Sequence, residues 1–134
     1  MEKKRILFID DDPDLVAQNK LLLESKNYHV YTASSGKEGW EVYQQTKPDA
    51  VVIDLIMEEH DSGFILSYKI KKDEHGKKIP VYIVTSAAYL TGFKFGTSTE
   101  EEREWIKCDA ILNKPVVLDE LVQKLNEFWA LHKK

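Results

Sequence analysis

Five short apolar runs recur along the chain, and a longer amphipathic segment separates most of them. The runs that we predict as strands are residues 5–10, 28–33, 50–54, 79–85 and 109–113. The third run, AVVID, has no polar alternation, which is typical of a strand covered on both faces. Strands that alternate with helices indicate a parallel sheet between two helical layers. We therefore predict an α/β fold, a three-layer sandwich around a doubly wound, five-stranded parallel sheet.

The strand order follows from the handedness of the connections. Right-handed crossovers leave few arrangements for five such strands, and the flavodoxin-like order 2-1-3-4-5 is the common one. In this order strands 1 and 3 are neighbours, and ligands bind beside them at the carboxyl ends of the strands. The chain has 134 residues and no repeat or linker, so we predict a single domain over residues 1–134.

The segments between the runs carry helix signals. Asp12 has the position of an N-cap with Pro13 after it, and Ser35 and Glu38 have capping-box spacing. The inward side chains of a third helix, predicted over residues 63–73, are expected to be Phe64, Ile65 and Tyr68. Two further helices are predicted over residues 99–107 and 118–132.

Composition limits the classes of function. The hydrophobic fraction of 43% and the charged fraction of 31% are those of an ordinary soluble protein. A net charge of −4 argues against nonspecific binding to nucleic acid, which needs a basic face. The single cysteine, Cys108, cannot form an intramolecular disulfide, and no apolar run is long enough for a signal peptide or a membrane span. We therefore expect a cytoplasmic protein.

The predicted strand order brings five polar residues to one edge of the sheet. They are Asp10 and Asp11 after strand 1, Asp54 closing strand 3, Thr85 closing strand 4, and Lys114 just past strand 5. Crowded carboxylates repel, by about 4 kcal/mol for two charges about 4 Å apart at an effective dielectric of about 20. A bound Mg²⁺ would relieve this repulsion, because it prefers oxygen ligands and is often held by a few carboxylates and a phosphate. We therefore predict a Mg²⁺ site at this edge.

Four motifs, ILFIDDDP, VVIDLIM, VYIVTSA and LNKP, stand in this order along the chain. With them, residues 4–132 resemble the receiver domains of the two-component response-regulator family. The resemblance implies that Asp54 is the phosphoacceptor, taking a phosphoryl group from a sensor histidine kinase or a phosphotransfer protein. It also implies that Mg²⁺ is held by Asp11, by Asp10 through a water molecule, by Asp54 and by the backbone carbonyl of Ile56.

The same resemblance implies roles for two residues at the ends of the last strands. The Thr85 hydroxyl would hydrogen-bond the acyl phosphate and bias the loop after strand 4, and Lys114 would pair with a phosphoryl oxygen. The peptide between Lys114 and Pro115 would be cis. The implied protein is a monomer or weak dimer that signals by contact with a downstream protein. It would be no enzyme beyond Mg²⁺-dependent self-phosphorylation and slow autodephosphorylation.

The sequence departs from the family pattern in three places. Glu58 replaces a proline and the loop that carries it is one residue longer, and Ile111 replaces the usual switch aromatic. Between Thr85 and Lys114 lie 28 residues, more than is typical, with the excess in residues 86–98. Long loops are often functional. One hypothesis is that residues 86–98 respond to phosphorylation, and the alternative is an insertion folded onto the fourth helix.

Other functions fit the aspartate run less well. A haloacid-dehalogenase-like small phosphatase would use Asp10 and Asp12, but Asp14 stands where such enzymes have threonine or valine. A calcium loop would need glycine and glutamate where Leu15 and Leu21 stand. The chain could also be a receiver fragment of a larger regulator. The phosphatase and the fragment therefore stay open as alternatives.

Overall fold

The computed structural model describes residues 3–54, 62–85, 109–113 and 118–131. The elements, in chain order, are β1 (Arg5–Ile9), α1 (Pro13–Ser25), β2 (His29–Ala33), α2 (Gly36–Thr46), β3 (Ala50–Asp54), α3 (Ser62–Lys72), β4 (Val81–Thr85), β5 (Ala110–Asn113) and α4 (Leu118–Leu131), with one 3₁₀ turn (Gly76–Lys78) before β4. The predicted bounds agree within one or two residues. The helix predicted over residues 99–107 lies outside the described residues. No helix in the described ranges is long and apolar enough to cross a membrane.

The five strands form one parallel sheet in the order β2-β1-β3-β4-β5, which confirms the predicted topology. The register places Ile9 of β1 beside Ile53 of β3, and Asp54 beside Val84 of β4. Because all strands run the same way, their carboxyl ends meet at one edge of the sheet.

Each face of the sheet has its own hydrophobic core. Leu7 and Ile9 of β1 face a core shared with α2 and α3. Ile6 and Phe8 face a second core, shared with α1 and α4. This alternation has the period of two that a strand imposes, and both sets are apolar because both faces are covered. The predicted three-layer sandwich is thereby confirmed.

The face that α3 buries differs from the predicted one. Leu66 and Ile70 are buried, whereas Ile65 and Tyr68 are 47% and 42% exposed. Each helical residue turns by about 100°, so Ile65 and Tyr68 lie about half a turn from the side that Leu66 and Ile70 define. The prediction that Ile65 and Tyr68 face inward was therefore wrong, while the side chain of Phe64 lies outside the described part of the chain.

Two aspartates form hydrogen bonds between neighbouring strands at the opposite edge of the sheet, where the strands begin. Just before β3, Asp49 accepts a hydrogen bond from the Arg5 N–H through Oδ2 at 2.8 Å, and its own N–H donates to the Arg5 carbonyl at 2.7 Å. Just before β5, Asp109 makes the same pair of bonds with Val81, both at 2.8 Å. The ammonium of Lys71 lies 3.0 Å from Asp109 Oδ2. Each aspartate thus satisfies a backbone N–H at the start of a neighbouring strand.

Candidate functional site

Two buried aspartates stand at the carboxyl ends of neighbouring strands. Asp10 follows the four buried residues Ile6–Ile9, and it is itself only 3% exposed. Its N–H donates to the Ala33 carbonyl at 3.1 Å, so the pairing with β2 continues one residue past β1. Asp54 is the last residue of β3 and is also 3% exposed. Strand pairing therefore holds both carboxylates at the same edge of the sheet.

The residues after β1 make a tight turn into α1. The Asp12 N–H donates to Asp10 Oδ1 at 3.0 Å. Asp12 Oδ1 in turn accepts from the N–H groups of Asp14 and Leu15, at 3.1 and 3.2 Å. Asp12 is therefore the N-cap of α1, as predicted from the Pro13 that follows it, and its carboxylate is used by the helix.

Three carboxylates converge at this edge. One oxygen from each of Asp10, Asp11 and Asp54 lies within 4.8 Å of the other two, and Asp11 is the exposed member of the group. Two ligands of one Mg²⁺, each about 2.0–2.1 Å from the ion, lie about 3–4 Å apart, and this ion commonly keeps several waters. An all-oxygen donor set with these separations fits Mg²⁺ with direct ligands and water-mediated ones. The structure thus brings together the three predicted acidic residues.

The remaining predicted site residues are placed only in part. Thr85 ends β4, and its backbone lies beside Asn113, the last residue of β5. Its side chain lies outside the described residues, as do Lys114 and Ile56. Residues 86–98 are also outside, so the hypothesis about that loop stays untested. The backbone of Thr85 nevertheless lies near Asp54, because Thr85 directly follows Val84, which is paired with Asp54 in the sheet.

A groove opens beside the acidic cluster, and the sequence did not predict it. It has a volume of about 460 Å³ and lies between α1, which contributes Val16, Ala17 and Lys20, and the end of β2 with the start of α2. Glu38 anchors the far side, because its Oε1 accepts from the N–H and the hydroxyl of Ser34, at 2.6 and 3.0 Å. Capping-box spacing was the signal for Glu38, but nothing in the sequence distinguished Lys20.

Comparison with known sequences gives a consistent result. Residues 6–126 match the family described as response regulator receiver domain. Protein PilH of Pseudomonas aeruginosa is 31% identical over 126 residues, which cover 94% of this chain and 98% of PilH. The DNA-binding dual master transcriptional regulator RpaA of Synechocystis is 32% identical over 90% of this chain. The chain spans only 47% of RpaA and 25% of the Escherichia coli transcriptional regulatory protein GlrR, to which it is 35% identical.

Solved structures share the fold. A response regulator receiver domain protein from Clostridium thermocellum superposes with a TM-score of 0.79 and 27% identity, covering 97% of both chains. The response regulator TrrA of Thermotoga maritima, solved in complex with Mg²⁺-BeF, has a TM-score of 0.74 and 23% identity, covering 93% of this chain and 98% of TrrA. These likenesses support the architecture described above over nearly the whole chain.

Proposed function

This chain belongs to the response regulator receiver domain family, and on that premise we propose that Asp54 accepts a phosphoryl group in an Mg²⁺-dependent reaction. The observation that carries the proposal is the position of Asp54. It closes the central strand β3 with carboxylate oxygens of Asp10 and Asp11 within 4.8 Å. The motif VVIDLIM supports the same residue, because the resemblance assigns its aspartate as the phosphoacceptor.

The other aspartates of the cluster are less suited to this role. Asp10 Oδ1 already accepts a hydrogen bond from the Asp12 N–H, and Asp12 caps α1. Asp11 is exposed and lies in the turn between them. Asp54 stands on the neighbouring strand, at the point where the strand order reverses, which is where ligands bind in open α/β sheets.

The proposed reaction transfers a phosphoryl group from a histidine nitrogen to a carboxylate oxygen. A carboxylate oxygen of Asp54 attacks the phosphorus of a phosphohistidine, the P–N bond breaks, and its electron pair stays on the imidazole, which takes up a proton. The product is an acyl phosphate on Asp54. Such a transfer depends on alignment and on neutralising the phosphoryl oxygens. The β3 backbone supplies the alignment, because it holds the Asp54 carboxylate at the sheet edge.

Asp10, Asp11 and Asp54 would hold the metal, together with the backbone carbonyl of Ile56 as the resemblance implies. Bound Mg²⁺ would offset the charge of the carboxylates and of the incoming phosphoryl oxygens. Lys114 is proposed to pair with a phosphoryl oxygen, and the Thr85 hydroxyl to hydrogen-bond the acyl phosphate. The end of β5 at Asn113 supports the position of Lys114, which is the next residue.

The proposed partners are a sensor histidine kinase or a phosphotransfer protein as donor, and an unidentified protein as target. PilH supports a single-domain regulator, because this chain covers 98% of it. RpaA and GlrR are longer, so a receiver fragment of a multi-domain regulator stays the alternative. We propose a cytoplasmic signalling module rather than a catalyst of repeated turnover.

The experiment is incubation of the full chain with a small acyl phosphate and Mg²⁺, followed by intact mass spectrometry. We expect the wild type to gain the mass of one phosphoryl group. We expect no such gain in Asp54→Asn, or in the wild type when EDTA is present. Asp12→Asn is the matched control, because asparagine is also a good N-cap and the variant keeps Asp54. Equal phosphorylation of Asp54→Asn would overturn the assignment. Steady turnover of a phosphomonoester would favour the phosphatase alternative.

A further inference from the structure

The outer surface of α2 and α3 carries a strip of apolar and basic side chains. It consists of Trp40 on α2 and of Ile65, Tyr68, Lys69 and Lys72 on α3, and we refer to it as the α2–α3 strip. The four α3 residues are spaced i, i+3, i+4 and i+7, so they share one face of the helix. This is the face that points away from buried Leu66 and Ile70. Ile65 and Tyr68 are 47% and 42% exposed on this face, and Trp40 beside them is half-buried.

Each aromatic ring in the strip lies under a lysine. The Lys69 ammonium is 5.6 Å from the centre of the Trp40 ring, and the Lys72 ammonium is 4.8 Å from the centre of the Tyr68 ring. Lys72 Nζ also donates to the Tyr68 hydroxyl at 3.0 Å. These contacts hold two aromatic rings and two cations side by side on adjacent helices. Tyrosine and tryptophan are the residues most enriched at the centres of protein interfaces.

The charge of the strip is opposite to that of the whole chain. The segment Ser62–Lys72 has three lysines and no acidic residue, although the chain has a net charge of −4. Lys71 turns inward to Asp109 and to the Ile79 carbonyl, so only Lys69 and Lys72 of these lysines belong to the outer face. A positive surface on a negative protein attracts an acidic partner there and disfavours its approach elsewhere.

From these observations we propose that the α2–α3 strip docks an acidic amphipathic helix of another protein. Apolar side chains of that helix contact Ile65, Tyr68 and Trp40, and its carboxylates pair with Lys69 and Lys72. Spacing of i, i+3, i+4 and i+7 is what helix-against-helix recognition uses. A symmetric pair of this chain through the same face is disfavoured, because it would set the lysines of one copy against those of the other. The strip lies on the helices rather than at the carboxyl edge, so the proposal does not depend on phosphorylation of Asp54.

The test is titration of the ¹⁵N-labelled full chain with synthetic amphipathic helices, followed by NMR. One peptide has leucine along one face and glutamate on both flanks, and the comparison peptide has lysine in place of every glutamate. The expected result is saturable binding of the acidic peptide alone, with chemical-shift changes confined to the amides of α2 and α3. Lys69→Glu combined with Lys72→Glu should weaken that binding by at least about tenfold.

The matched control is Lys77→Glu combined with Lys78→Glu, which makes the same change of charge at two exposed lysines beyond α3. It should change affinity by less than about twofold, because both lysines lie outside the α2–α3 strip and Lys77 pairs with Glu74, at 3.9 Å. Circular dichroism checks that both variants are folded. The proposal would be overturned if the lysine peptide bound as tightly as the acidic one, or if the control variant lost as much affinity as Lys69→Glu combined with Lys72→Glu. Chemical-shift changes outside α2 and α3, or no saturable binding, would also overturn it. Binding to phosphatidylserine vesicles but not to the acidic peptide would overturn it in favour of a membrane surface.

Discussion

The hydroxyl oxygen of Tyr43 on α2 lies 2.6 Å from Oδ2 of Asp73, the residue just after α3. Burial raises the pKa of Tyr43 far above its usual value, and the neighbouring Asp73 carboxylate raises it further. The hydrogen bond from Tyr43 in turn lowers the pKa of Asp73. Tyr43 is almost fully buried and stacks on Trp40, with ring centres 5.4 Å apart. This bond therefore ties the interior of α2 to the end of α3.

Tyr43→Phe should destabilise the protein by about 1–2 kcal/mol at pH 7, because the bond to a charged acceptor is lost. The folded pKa of Asp73 lies below its unfolded value of about 3.9, so this contribution is fully present above that pH and fades as the pH falls through the folded pKa. Urea unfolding should show that the difference in free energy of unfolding between wild type and Tyr43→Phe is smaller at acidic pH than at neutral pH. Tyr31→Phe is the control. If the free-energy difference caused by Tyr43→Phe stayed constant with pH, the proposed contribution of the Tyr43–Asp73 hydrogen bond would be contradicted.

Asn19 on α1 is 7% exposed, and its amide has no hydrogen-bond partner among the described residues. Burying an unsatisfied amide costs about 1–3 kcal/mol. Asn19→Leu, similar in size, should therefore raise the free energy of unfolding by about 1–2 kcal/mol, measured by urea unfolding. Asn19→Ala should give no such gain, since it removes packing as well. Destabilisation by leucine would mean that the amide is satisfied by bound water.

Asp109 holds the start of β4 through the buried Val81 N–H and pairs with Lys71. Asp109→Ala should cost about 2 kcal/mol of unfolding free energy, because the N–H is left without an acceptor. Asp109→Asn should cost about half as much, since an amide oxygen can still accept that bond while the charge facing Lys71 is lost. Denaturant midpoints compare the two, and equal losses would show that the ion pair dominates.

Mg²⁺ should stabilise the folded chain, because binding to the folded state alone adds free energy by mass action. At about a hundred times the dissociation constant the gain is about 2.7 kcal/mol, and EDTA should remove it. Asp11→Asn should reduce the Mg²⁺-dependent rise in melting temperature, whereas Asp12→Asn should keep it. A Ca²⁺ response larger than the Mg²⁺ response would argue against the proposed metal. Melting curves with and without metal provide the measurement.

The sheet was predictable because its signals are local. Apolar runs marked the strands, Pro13 and Asp12 marked the start of α1, and crossover handedness gave the order that the structure confirms. The convergence of Asp10 and Asp54 then followed from the parallel strands together with their predicted order. The roles of Thr85 and Lys114, and slow loss of the phosphoryl group, stay predictions.

Other features depend on three-dimensional packing that a single sequence does not encode locally. The apolar pattern of α3 admits two faces, and contact with the core selected Leu66 and Ile70 instead of Ile65 and Tyr68. The groove beside Lys20 arises only where α1 passes the end of β2. The cation–π pair of Lys69 with Trp40 likewise joins two separate helices, so no spacing in the sequence predicts it.

The aspartates at the two edges of the sheet suggest a way to interpret acidic residues in related sequences. Asp49 and Asp109 precede their strands and bind the backbone N–H groups of Arg5 and Val81, while Asp10 and Asp54 stand where strands end, within the acidic cluster. In this chain the end of the strand at which an aspartate stands, rather than its residue type, distinguishes an acceptor for backbone N–H groups from a member of the proposed metal site. Substitution of Asp49 or Asp109 should accordingly lower the yield of folded protein, whereas substitution of Asp10 or Asp54 should lower phosphorylation of the chain.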